Sequence, residues 1–130
     1  MIYLLDVNAL VALGFINHEF HGRVASWVRS TSPPLATCSI TELGFVRVLA
    51  QAPAYGFTVA QASTLLSRLK RTRAARLSFI PDNHDVSHLP NWVRAPKQIT
   101  DAHLVQLAKA NDAILATLDE NIPGSHLISK

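Results

Sequence analysis

Residues 2–5 are an unbroken apolar run, and Asp6 and Asn8 interrupt it at once. That is the profile of a short strand buried on both faces, with turn-and-cap chemistry after it. A helix over 7–16 is predicted to follow. A second is predicted over 19–28, because Phe20, Val24, Trp27 and Val28 recur at the 3.6-residue spacing and the Ser-Thr-Ser-Pro-Pro segment at 30–34 stops it. Residues 35–38 read as the second strand. Ser39 with Glu42 three positions on has the form of a capping box, followed by Leu43, Val46 and Leu49 on one stripe, which predicts a helix over 39–50. A further helix is expected over 58–74, with Val59, Ala62, Leu65, Leu66 and Leu69 towards the core and Arg68, Lys70, Arg71 and Arg73 mostly outwards. Residues 77–80 form a third strand, 100–111 a helix, 114–118 a strand and 126–129 a last edge strand. The stretch 81–99 holds three prolines and two asparagines, so it is expected to be a long surface connection with one helical turn around 85–89.

Strands alternating with helices imply an α/β fold: a three-layer sandwich around a central, mainly parallel sheet. At 130 residues the chain has the size of one domain, 1–130. A hydrophobic fraction of 48% with 16% charged residues excludes a disordered tail and a coiled coil. No apolar run approaches the ~20 residues of a membrane span, and no basic segment precedes the first apolar run, so neither membrane insertion nor export is expected. Cys38 is the single cysteine. An internal disulfide is therefore impossible, and a reducing cytoplasm fits best.

Ligands of parallel α/β sheets bind beyond the carboxyl ends of the strands. Four of the nine acidic residues map to that rim: Asp6 after the first strand, Glu42 in the first turn after the second, Asp101 opening its helix and Asp119 after the fourth strand. Glu42 shares a helical stripe with Phe45, Val46 and Leu49, and Asp101 with Leu104, Val105 and Ala108, so both carboxylates are expected to face the sheet. Singly, each has an ordinary explanation as a cap, a dipole partner or a turn residue. Their convergence does not. Repelling carboxylates in a partly desolvated site need compensation, and an all-oxygen set suits Mg²⁺ or Mn²⁺ rather than zinc.

The segments Leu-Leu-Asp-Val-Asn-Ala-Leu at 4–10, Ser-Ile-Thr-Glu-Leu-Gly-Phe-Val-Arg-Val-Leu at 39–49, Thr-Asp-Ala-His-Leu-Val-Gln-Leu-Ala at 100–108 and Leu-Ala-Thr-Leu-Asp at 115–119 resemble, in order, the four blocks of PIN-domain proteins. The likeness is strongest to the VapC toxins of bacterial type II toxin-antitoxin systems. The resemblance implies a metal-dependent ribonuclease whose acidic quartet is Asp6, Glu42, Asp101 and Asp119. It also implies a homodimer and a small VapB-like antitoxin that blocks the site, often with an Arg. For phosphodiester hydrolysis, Asp6 and Asp101 are expected as direct metal ligands, Asp119 as a direct or water-mediated one, and Glu42 as the residue that orients or deprotonates the attacking water. Asn8 matches the polar residue two positions after the first Asp. Thr117 and Asn121 flank the last acid as orienting candidates, although turn chemistry is the simpler account of both.

Removing the four site acids leaves five Asp and Glu against twelve Lys and Arg, a basic surround suited to a polyanion such as RNA. Arg68, Lys70, Arg71, Arg73 and Arg76 are the conspicuous run and the expected phosphate contacts. The six histidines lack a third ligand or a metal motif and are expected to be surface or capping residues; His103 should point away from Asp101. A haloacid-dehalogenase-type phosphatase would place Asp where Asn8 stands, and a response-regulator receiver would pair acids before its phosphorylated Asp; neither pattern is present. The rival from another class is a non-catalytic PIN-like module that binds RNA or protein. Such a scaffold has no use for four mutually repelling carboxylates.

Overall fold

The computed structural model describes residues 1–72 and 77–129. Five strands, Ile2–Leu5 (β1), Leu35–Cys38 (β2), Leu77–Ile80 (β3), Ala113–Thr117 (β4) and His126–Leu127 (β5), form one sheet in the order β3-β2-β1-β4-β5, parallel at every pairing. The helices are Val7–Gly14 (α1), His21–Thr31 (α2), Ser39–Gln51 (α3), Val59–Arg71 (α4) and Ile99–Ala110 (α5). The long connection after β3 carries the expected turn at Val86–His88 and a second 3₁₀ turn at Pro96–Gln98 that the sequence pattern does not announce.

Successive strand residues serve opposite faces. Leu5, Leu35 and Ala116 join a core with α1 to α4, whereas Leu4, Ala36, Cys38 and Leu115 join a second core with α5. The chain moves outward from β1 to β3 and then returns to place β4 on the other side of β1. Keeping the favoured crossover hand through that reversal puts α5 on the opposite face. The reversal makes the gap between β1 and β4 the switch point of the sheet.

Two expected core assignments are overturned. Leu43 and Val59 are 63% and 64% exposed. The buried row of α3 is Thr41, Gly44, Phe45 and Leu49, with Val46 packed beside it, so the expected Phe45 and Leu49 face inwards while Leu43 is turned out. Gly44 explains this orientation, since a Cβ there would lie 2.5 Å from the Val7 side chain; without one, α3 packs directly on α1. Val59 is the first residue of α4, where Thr58 and Gln61 close the capping box in solvent and Ala62 opens the buried stripe.

The Ser39–Glu42 capping box does not form either. Thr41 takes that part, its hydroxyl accepting the Cys38 amide at 3.0 Å. Glu42 is thereby free for other contacts. The last residues of the helix expected over 58–74, together with Arg73 and Arg76, lie outside the described residues.

Candidate active site

Asp6 follows β1 and caps α1, Oδ1 accepting the Val7 amide at 2.8 Å. It is only 6% exposed. Its Oδ2 accepts the Thr117 hydroxyl at 2.8 Å from the end of β4. Burial pushes the Asp6 carboxyl above its ordinary range, hydrogen bonds from Thr117 and Val7 oppose the rise, and the Asp119 charge adds to it.

Thr117 is a buried hub. Its oxygen also accepts the Asp119 amide at 3.1 Å and the Asn8 side-chain amide at 3.3 Å. Asn8 Oδ1 in turn accepts the Leu118 amide at 3.1 Å, so Asn8 ties α1 to the chain leaving β4. Turn chemistry therefore does not account for Thr117. It does account for Asn121, whose exposed residue only donates its backbone amide to Asp119 Oδ1.

Asp101 stands half-buried in the first turn of α5. Burial first, then the charges of Asp6 and Asp119, push its pKa up to about 6. The three aspartates thus form one electrostatic group at the switch point between β1 and β4. Among the described residues, no three acidic, His or Cys side chains already stand in a metal-gripping arrangement. The donor chemistry nonetheless fits a hard divalent cation: the side chains offer carboxylate oxygens, and their shared repulsion is what such a charge relieves.

Glu42 is placed differently. Its Oε2 accepts the hydroxyl of the buried Thr37 at 2.6 Å and pairs with Lys70 Nζ at 2.7 Å. It is not among the charges that raise Asp6 or Asp101. Lys70 therefore departs from the outward placement expected of it. It continues the inward Ala62–Leu66 row of α4 by one helical turn, so its stem runs along the core edge while its head reaches the acid. Thr37 was missed at the sequence level; a lone hydroxyl inside the strand Leu-Ala-Thr-Cys was its only signal.

Arg68 and Arg71 remain exposed, and Arg68 lines a shallow groove with Tyr55, Phe57 and Leu65. Among the described histidines, His103 pairs with Asp82 rather than approaching Asp101, His84 and His88 stack at 4.1 Å, and His18 accepts the Phe20 amide. These four make local contacts, and His103 points away from Asp101 as expected.

An all-parallel sheet with an aspartate cluster at its switch point defines the class, and comparison with known proteins agrees. The PIN domain family model matches residues 3–124. Ribonuclease VapC29 of Mycobacterium tuberculosis is 35% identical, covering 97% of this chain and 92% of its own. Ribonuclease VapC44 of the same organism is 39% identical, covering 92% and 87%. The chain belongs to the PIN-domain family, in its VapC branch. Solved structures share the fold. The crystal structure of Mycobacterium tuberculosis VapC20, described as a sarcin-ricin loop cleaving toxin, superposes with a TM-score of 0.62 at 13% identity over 92% of each chain. That of VapBC2 from Rickettsia felis bound to a promoter DNA fragment gives 0.61 at 17% identity over 98% of this chain and 97% of its own.

Proposed function

We propose that the protein is a ribonuclease dependent on Mg²⁺ or Mn²⁺, the toxin of a type II toxin-antitoxin pair. The observation that carries this reading is the placement of Asp6, Asp101 and Asp119 at one ligand-binding edge of the sheet, close enough to raise the Asp6 and Asp101 carboxyls, with no cation of the described residues paired to them. Asp6, Asp101 and Asp119 would hold the metal, which when bound supplies positive charge to the phosphate oxygens and acidifies a water. Thr117 and the Val7 amide hold Asp6 in one orientation, so its oxygens need no reorganisation. Glu42, fixed outside the aspartate group, orients the attacking water and accepts its proton. No covalent intermediate with the chain is needed.

RNA is the substrate that fits the basic surround, and the VapC relatives named as ribonucleases support it. A VapB-like antitoxin is the partner we infer from membership of the VapC branch, and the VapBC2 structure of similar fold supports it. We extend the reading to a homodimer acting as one 1–130 domain in the cytoplasm; no helix among the described residues is long and apolar enough to cross a membrane. The test is cleavage of RNA by pure protein in Mn²⁺, abolished by a chelator and by Asp6→Asn. Asn is nearly equivalent to Asp as a helix cap. A folded Asp6→Asn protein cutting at the wild-type rate would leave the non-catalytic module as the better account.

A further inference from the structure

The acidic quartet is not one cluster in this fold. Three aspartates share one electrostatic group, whereas Glu42 has a cation of its own. Lys70 sits on the buried row of α4, with its Nζ 2.7 Å from Glu42 Oε2 and 5.5 Å from the centre of the Phe79 ring on β3. Side-chain exposures of 35% for Lys70 and 21% for Glu42 put the pair at the edge of the core rather than in open solvent. The Thr37 hydroxyl reaches the same carboxylate oxygen from β2. Both bonds fall on Oε2, and Oε1 accepts no hydrogen bond from the described residues.

We propose that Lys70 is a positioning residue which, with Thr37, anchors Glu42 by one oxygen outside the metal-binding aspartates, so that the other oxygen is left to face the attacking water. The inference rests on the nuclease reading above and goes beyond it by dividing the quartet into a metal group and a water group. Two charge-assisted bonds on one oxygen fix the carboxylate plane. A carboxylate so fixed acts in one geometry, and misplacing a base by about 1 Å costs on the order of 100-fold in rate. Lys70 also cancels the charge that would otherwise draw Glu42 towards a bound metal. It thus differs from Arg68 and Arg71, which lie on the solvent side of the same helix.

The experiment compares wild type, Lys70→Gln, Lys70→Arg, Glu42→Gln and the Lys70→Gln, Glu42→Gln double variant. Each is tested by single-turnover cleavage of a short RNA in Mn²⁺ and by Mn²⁺ titration followed through the melting temperature. Lys70→Gln should slow cleavage of bound RNA by about tenfold or more, with half-saturating RNA changed less than about twofold. Lys70→Arg should recover most of the rate. The double variant should be no slower than Glu42→Gln alone, because Lys70 acts only through Glu42. In the titration, Lys70→Gln should tighten Mn²⁺ binding by about threefold, since it frees Glu42 for the metal, and by less when Glu42 is already Gln. Additive rate losses, a changed RNA half-saturation at constant rate, or an equal metal shift in both backgrounds would each overturn the proposal. If wild type cuts no RNA, the nuclease reading fails, and the metal titration still judges Lys70 by itself.

Discussion

The Thr117 hydroxyl donates to Asp6 Oδ2 at 2.8 Å, joining the ends of β4 and β1 across 111 positions of sequence. Because the same oxygen accepts the Asp119 amide at 3.1 Å, one buried group sets the position of two acids that repel each other. Thr117→Val keeps the shape of the side chain and removes the hydroxyl. Asp6 then loses the one side-chain donor it has among the described residues, and the Asp119 amide and the Asn8 side-chain amide lose an acceptor, a change worth about 1–3 kcal/mol. The unfolding free energy should fall by that amount at pH 7, read as a lower urea midpoint at unchanged slope, and by less as acid protonates Asp6. An unchanged midpoint would mean that the bond contributes nothing to stability.

Asp101 carries a pH signature. Its pKa of about 6 in the folded chain exceeds the ordinary 3.8, so between these values the folded state binds more protons than the unfolded one. Stability must therefore fall as pH rises from about 4 to 6 and stay lower above that. A shift of this size corresponds to about 3 kcal/mol if unscreened, and solvent at a half-buried residue reduces it to about 1 kcal/mol. In metal-free buffer the melting temperature should drop by about 3 °C between pH 4.5 and 7. Asp101→Asn should flatten that drop and be the more stable protein at pH 7; a profile as steep as wild type would assign the pH dependence to other groups.

What was legible in the sequence divides along a physical line. Strand positions and the carboxyl-end location of Asp6, Asp101 and Asp119 follow from local apolar runs and from topology, and both survive in the fold. Glu42 was legible as a rim acid but not in its contacts. Its pairing depends on Thr41 replacing it in the cap and on Gly44 letting α3 settle onto α1, which are tertiary matters. Lys70 was misplaced because a charged residue at a helix end reads as solvated. The Ala62–Leu66–Lys70 row was visible, but only β2 and α3 together show what lies at its end.

Divalent metal should act on stability through the aspartates alone. An ion that binds only the folded state stabilises it by mass action, about 2.7 kcal/mol at 100 times its dissociation constant. Mn²⁺ added at pH 7 should raise the melting temperature of wild type and hardly that of Asp6→Asn combined with Asp101→Asn. Equal shifts in the two proteins would place the ion elsewhere.

Arg68 and Arg71 separate RNA binding from chemistry. Both are exposed at the end of α4, one turn or less from Lys70, yet only Lys70 is drawn into the acidic site. Cations left in solvent hold a polyanion by releasing its counterions, which appears as a fall of affinity with salt of about 0.7 logarithmic units per phosphate contact on a single strand. Replacing both with Gln should weaken RNA binding and flatten that salt slope by about 1.4 if each touches one phosphate. Cleavage of RNA already bound should proceed at the wild-type rate, because neither side chain contacts Asp6, Glu42, Asp101 or Asp119 in the described structure. Fluorescence anisotropy across a salt series, with single-turnover cleavage on the same preparations, distinguishes the roles. A slope identical to wild type would show that this end of α4 faces solvent rather than RNA.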